Sequence, residues 1–240
     1  MWQSSRVDVW WNLTIGVVAL CICEFCHAQS GGPQQIASSQ PPILRPELLK
    51  LLPDKATLIQ ESNVDFQDDG GVDIVVTYST PDKQYPVLFT LGLRVFGQSR
   101  TSGWTLTYEE AFERSGANDT VTLENVRSTS GKEGVVVIHQ VSGAGTATDW
   151  HILASAKHRL FKLDPTRIRN KVLTNRGYVD NGYNGVTSKG ALVIEELPGY
   201  SLHQARCCPN RPSISMTFKF TGSSVRLDTV SKLPFSPIKD

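Results

Sequence analysis

The sequence has almost no net charge, few cysteines and no apolar run long enough to span a bilayer as a helix. Its 240 residues carry 24 basic and 23 acidic side chains, a formal net charge of +1. A balance so near zero leaves no electrostatic footprint for nucleic acid and none for an anionic membrane surface. Arg6, Asp8 and Glu24 lie in the first 28 residues, so the remainder holds 23 basic and 21 acidic groups, net +2, and the conclusion stands. Signatures of catalysis are missing too. There is no H-E-x-x-H, no G-x-S-x-G elbow and, beyond residue 28, no C-x-x-C. Among the histidines after residue 28, at 139, 151, 158 and 203, no pair is spaced i, i+4. What remains is the composition of a globular chain, 40% hydrophobic and 20% charged, with enough apolar material to build a core.

The apolar stretch that does exist, Leu13 to Cys23 (LTIGVVALCIC), falls short of the roughly 18 residues a spanning helix needs. It has the length of a signal-peptide core, with Arg6 as the only basic side chain before it. Cys26-His27-Ala28 then offers small side chains at −3 and −1, which predicts a signal peptide over 1–28 and cleavage before Gln29. An uncleaved anchor that includes Trp10 and Trp11 is the alternative. It is opposed by Asn12, Thr14 and Glu24, which interrupt any longer apolar span. Residues 29–45 begin QSGGPQQIASSQPP, a composition that buries little apolar surface and reads as a flexible linker. A single β-rich domain is expected over 46–240, secreted or periplasmic, with no transmembrane segment in the mature chain.

Within that domain, Pro46 at a first-turn position and Pro53 as a stop predict a short N-terminal helix over 46–52. Strand signals dominate from Val72 onward. Val72–Tyr78, Val87–Phe96, Gly134–Val141, Trp150–Ala154, Arg159–Leu163 and Val225–Val230 are short apolar or alternating runs. Trp104, Leu106 and Tyr108 alternate with threonines. In Ile214–Phe220 the residues Ile214, Met216, Phe218 and Phe220 share one face. Asp164, Pro165 and Gly177 bracket a helix over 165–176, with Ile168, Val172 and Leu173 as its apolar stripe. The expected fold is mainly β: antiparallel β-units, propeller-like or sandwich-like, with one helix near 165–176. A loop-then-strand pattern recurs about 62 positions apart, at Asn63–Tyr78 and Asn125–His139, and more loosely from Asn184-Gly185 to Ile194.

The first of these units contains Asp65-Phe66-Gln67-Asp68-Asp69-Gly70-Gly71-Val72-Asp73. Oxygen-bearing side chains at offsets 1, 3, 5 and 9, with glycine at 6, form a pattern that wraps a hard cation; the same residues also favour a plain acidic turn. DFQDDGGVDIVV resembles the loop-and-strand core of FG-GAP or VCBS-type repeats. The resemblance implies β-propeller blades and a calcium loop with Asp65, Gln67, Asp69 and Asp73 as ligands. Gln67 departs from that family's Asn or Asp, and the second unit lacks the acidic residues. A second stretch, Gly199-Tyr200, Cys207-Cys208-Pro209 and the strand ending at Ser223, is similar to the tail of uncharacterised bacterial secreted proteins. No activity comes with that likeness.

Cys207 and Cys208 are the only cysteines after residue 28, so in an exported chain oxidation is expected. Neighbouring Cα atoms lie closer than ordinary disulfides favour, which makes a vicinal disulfide strained; two buried thiols or intermolecular pairing are the alternatives. The reading that follows is an exported, non-enzymatic β-domain, binding or structural, with an unknown envelope or extracellular partner. The alternative is a periplasmic hydrolase or thiol redox enzyme, whose site would gather His151, Asp149, Cys207 and Cys208. Calcium is the one cofactor the sequence suggests.

Overall fold

The computed structural model describes residues 45–234 apart from 69, 83–84, 86–87, 100–102, 117, 143–146, 181, 183 and 202–208. The expected signal peptide, nearly all of the linker, Asp69 and the Cys207–Cys208 pair lie outside the described residues. The chain is mainly β and antiparallel, in three four-stranded sheets that do not close into a barrel. The first sheet holds β1 (Thr57–Val64), β2 (Asp73–Pro81), β3 (Phe89–Ser99) and β4 (Gly103–Ser115). The second holds β5 (Thr120–Arg127), β6 (Glu133–Val141), β7 (Ala147–Ala156) and β8 (Arg159–Leu163). The third holds β9 (Gly185–Lys189), β10 (Leu192–Gly199), β11 (Arg211–Phe220) and β12 (Val225–Lys232). In each sheet the strands pair in chain order, the up-and-down connectivity of a propeller blade.

The first strands of the three sheets meet along one side. Gln60 bonds the backbone of Leu123 in both directions, Nε2 to the carbonyl at 2.9 Å and the Leu123 amide to Oε1 at 2.8 Å. Ser62 donates to Asn125 Oδ1 and Ser188 to the Asn125 carbonyl, each across 63 residues. These strands are polar because their side chains substitute for ladder bonds between sheets that are not in register to pair.

The middle sheet is buried on both faces, which explains its unbroken apolar run. Val135, Val137, Val121, Leu123 and Leu153 face the first sheet and meet Val75, Leu91, Leu93 and Val95. Val136, Ile138, Trp150, Ile152 and Ala154 face the third sheet and meet Val193, Leu197, Ile214, Met216, Phe218 and Phe220. The two ends of the stack are closed differently. The far side of the first sheet carries Ile74, Val76 and Phe96, covered by Leu48 of α1 (Pro46–Leu49). The far side of the third sheet carries Thr217, Lys219, Glu196 and Arg226 and needs no cover.

Three local expectations are corrected. The helix at 46 ends at Leu49 and continues only as tight turns, Leu51 to Leu48 and Leu52 to Leu49. The second helix, α2, runs Thr166–Arg176, one residue late, while Asp164 Oδ1 accepts the Thr166 amide at 2.8 Å and Gly177 stops it at φ 68°. Its buried face includes Arg169 beside Leu173, with Ile168 and Val172 only partly buried. Along β4 the alternation fails. Val95 pairs with Tyr108 but Phe96 with Leu106, so Thr107 is an extra residue in a bulge. Trp104 therefore packs on the outer side of the first sheet and Tyr108 on the inner side.

Candidate functional site

The acidic loop between β1 and β2 closes on itself. Asp65 Oδ1 accepts the Asp68 amide at 2.7 Å and Oδ2 the Gly70 amide at 2.9 Å. This lets Asp68 and Gly70 sit at positive φ, 58° and 77°. Asp73, 7% exposed, accepts the Phe66 amide through Oδ2 at 3.3 Å. Gln67 turns away from the loop: its Oε1 lies 2.9 Å from His158 Nδ1 across 91 residues. The Asp65 amide donates to Glu133 at 2.8 Å, tying the loop to the middle sheet. Of the four residues named for calcium, Asp65 and Asp73 thus point at loop amides and Gln67 at a histidine. Among the described residues, no three His, Cys, Asp or Glu side chains converge as a metal group.

Gln67 and His158 also line a cavity of about 260 Å³ between the first and second sheets, together with Phe66, Asp73, Thr107, Ser155, Arg159 and Leu160. Two features of the backbone aim side chains into it. The bulge in β4 turns Thr107 toward Asp73; at Gly97 a Cβ would lie 3.0 Å from Thr107 Cγ2 and 3.1 Å from Asp73 Oδ1, so glycine there lets the two approach. The β7–β8 turn is a two-residue hairpin whose corners, Lys157 and His158, have φ of 51° and 61°. Both positions suit Asn or Gly, and a side chain there costs of order 1 kcal/mol or more. The turn places His158 within reach of Gln67 in the acidic loop.

A second polar cluster joins the same two sheets. Glu110 of β4 lies 3.2 Å from His151 Nε2 and 2.5 Å from Lys162 Nζ, and accepts the Tyr108 hydroxyl at 3.1 Å. Burial alone would raise the Glu110 pKa. The hydrogen bonds and charges of His151 and Lys162 outweigh it and push it down to about 2. Burial and the Glu110 carboxylate push the Tyr108 hydroxyl up. A carboxylate so firmly ionised is a clamp and a poor proton carrier near neutral pH.

The third cluster lies between the second and third sheets. Glu195 of β10, fully buried, accepts Arg169 Nη1 at 3.1 Å and Asn184 Nδ2 at 2.9 Å. Asp180 stands 3.2 Å and Asp149 3.8 Å from Arg169. Burial pushes the Glu195 pKa up against the opposing pull of Arg169. It also works against the guanidinium charge, but Glu195 and Asp180 prevail and hold Arg169 above its ordinary value.

Of the residues of the enzyme alternative, His151 is held by Glu110 and Asp149 lies 3.8 Å from Arg169, while Cys207 and Cys208 lie outside the described residues. The cavity residues Thr107, Ser155, Arg159 and Leu160 were not marked by any sequence motif. No family model matches the chain, and neither the curated proteins nor the solved structures contain a match. The likeness to FG-GAP or VCBS-type repeats accordingly rests on the loop residues themselves.

Proposed function

We propose that the chain is an exported, non-enzymatic β-domain that works by binding, in the cell envelope or outside the cell, with the cavity at the acidic-loop end of the first two sheets as its contact site. The observation that carries this reading is the cavity itself: a small space where polar side chains from two sheets line apolar walls. Export rests on the sequence of residues 1–28, and a partner in nucleic acid is disfavoured by charge.

A hydrolase is the competing reading, because Ser155 and His158 line one cavity. It would need the serine hydroxyl bonded to the imidazole. Among the described residues no hydrogen bond joins Ser155 to His158, whose Nδ1 lies 2.9 Å from Gln67 Oε1. Calcium at Asp65, Gln67, Asp69 and Asp73 would have to compete with the amides of Asp68 and Gly70 for Asp65, so the binding reading is carried forward without it.

Thermal melts of the purified protein against a panel of small solutes test the proposal. A binding site predicts solutes that raise the wild-type melting temperature and lose that effect in Thr107→Trp, which fills the mouth from an exposed position. A panel with no such solute sinks the binding site. Ester hydrolysis abolished by Ser155→Ala would replace it with the enzyme. In the same melts, a rise with calcium that Asp69→Ala removes would restore the metal.

A further inference from the structure

Away from the cavity, the charged cluster around Glu195 holds four buried polar atoms that lack a hydrogen-bond partner: Trp150 Nε1, Arg169 Nε, Asn184 Oδ1 and Glu195 Oε2. Their residues are 3%, 5%, 5% and 0% exposed, so bulk solvent does not supply the missing bonds. They come from β7, α2, the residue before β9, and β10, and they meet at one carboxylate. Glu195 Oε1 accepts Arg169 Nη1 at 3.1 Å and Asn184 Nδ2 at 2.9 Å. Arg169 Nε and Asn184 Oδ1 are each two covalent bonds from a nitrogen that donates to that oxygen, and Glu195 Oε2 is two bonds from the oxygen itself. Burial raises the Glu195 pKa, and the Trp150 indole is close enough to be among the groups that oppose it, yet its Nε1–H completes no hydrogen bond. Turning the Asn184 amide over gives no relief, because its oxygen would then face the carboxylate. Buried polar atoms without partners are rare; four around one carboxylate call for a shared one.

The chemistry of the four atoms selects that partner. Trp150 and Arg169 offer N–H donors, Asn184 and Glu195 offer acceptors. A cation needs oxygen ligands, but here it would meet two donors and a guanidinium whose Nη1 already lies 3.1 Å from the carboxylate. An anion would face Glu195 as a like charge, with Asp180 and Asp149 near the same guanidinium at 3.2 and 3.8 Å. Burial excludes a larger neutral solute. Water accepts two hydrogen bonds and donates two, which is the pattern on offer. We propose that this cluster binds an enclosed water molecule, which accepts from Trp150 Nε1 and Arg169 Nε and donates to Asn184 Oδ1 and Glu195 Oε2. Internal waters make about three such bonds, and immobilising one costs less than leaving four buried polar atoms unmet. The water joins β7 of the middle sheet to β10 of the third and to α2, through a side chain of each.

A crystal structure of the purified protein, at a resolution that orders internal waters, tests this directly. One water peak is expected within about 2.7–3.2 Å of the four atoms. Direct bonds among those atoms with no peak between them, such as Trp150 Nε1 on Glu195 Oε2, overturn the proposal. In solution, the Trp150 indole proton should show a nuclear Overhauser effect to water with the sign of a long-lived complex. A fully assigned indole signal without that effect overturns it as well. Asn184→Leu replaces one acceptor with an apolar group of similar size. Relaxation dispersion of the water oxygen should then count one long-lived water fewer than in the wild type, and an equal count overturns the site. If Asn184→Leu fails to fold, the wild-type crystal structure and indole signal decide. None of these readouts involves the cavity between the first and second sheets, so the binding reading is judged apart from this one.

Discussion

Between the second and third sheets, Trp150 meets Phe218 edge-on with ring centroids 5.2 Å apart, and Phe220, Met216 and Ile214 fill the remaining space, all fully buried. Between the first and second sheets the core is mostly valine and leucine, and polar groups occupy its margins: the Glu110 clamp and the cavity beside Asp73. The first of these interfaces places its charge, Arg169 with Glu195, inside; the second keeps charge at its edges. Aromatic packing fixes one sheet against the other, and the enclosed ion pair ties α2 to β10. Small β-branched side chains leave gaps at the rim of a stack, and a gap lined with polar groups can take a ligand. The same four-stranded unit thus yields a tightly packed joint on one face of the middle sheet and a polar-lined cavity on the other.

The largest effect is expected where the enclosed charge is broken. Arg169→Met leaves Glu195 buried without its cation, and losing one member of a buried pair costs about 3–5 kcal/mol. Urea unfolding near neutral pH should register it. The double change Arg169→Met with Glu195→Leu removes both charges and should recover most of that loss. A double variant as unstable as the single would show that the loss does not come from leaving Glu195 buried without its cation.

Much of this architecture was legible in the sequence, and the reasons differ by element. Ile214–Phe220 announced itself because a strand with one buried face alternates with period two, and all four apolar residues are fully buried. Gly134–Val141 was readable as a doubly covered strand. β1 was missed since its residues, TLIQESNV, are chosen to bond the neighbouring strand β5 and not to fill a core. The β4 bulge was invisible, because one inserted residue reverses the facing of Leu106 and Tyr108 without changing the composition. Nor could the cavity be read from the sequence, being assembled from positions as distant as 66 and 160. Arg169 on the buried face of a helix looks like a surface residue until Glu195 is opposite it.

The Glu110 clamp at the rim between the first and second sheets should show itself through pH. Folding lowers the Glu110 pKa from the ordinary 4.5 to about 2, so the unfolded chain binds this proton at higher pH than the native one. Its stabilisation is complete above the unfolded value and is lost as pH falls from there through about 2. Its size is roughly 1–3 kcal/mol. Glu110→Gln should lower stability near neutral pH by that amount and flatten the acid limb between pH 4.5 and 2. Unfolding free energies measured across this window check it; identical acid limbs in wild type and variant would mean that Glu110 contributes nothing to joining the sheets.

The smallest effect bears most directly on the turn beside the cavity. Lys157 and His158 hold left-handed backbone at the β7–β8 turn, where an L side chain crowds its own carbonyl. His158 returns something for that strain, the 2.9 Å contact to Gln67. Lys157 lines no part of the cavity and carries no comparable bond among the described residues. Lys157→Gly should therefore relieve the crowding at the cost of greater freedom in the unfolded chain, for a net gain of about 0.5–1 kcal/mol. His158→Gly removes the same crowding but also the brace, and its stability should rise less or not at all. The discriminating quantity is the difference between the two melting temperatures. If both variants gain equally, the His158–Gln67 bond adds nothing to the joint between the sheets. If Lys157→Gly gains and His158→Gly does not, the turn keeps its histidine for the contact with Gln67 beside the cavity, and the loosely filled interface carries a bond that the tightly packed one does not need.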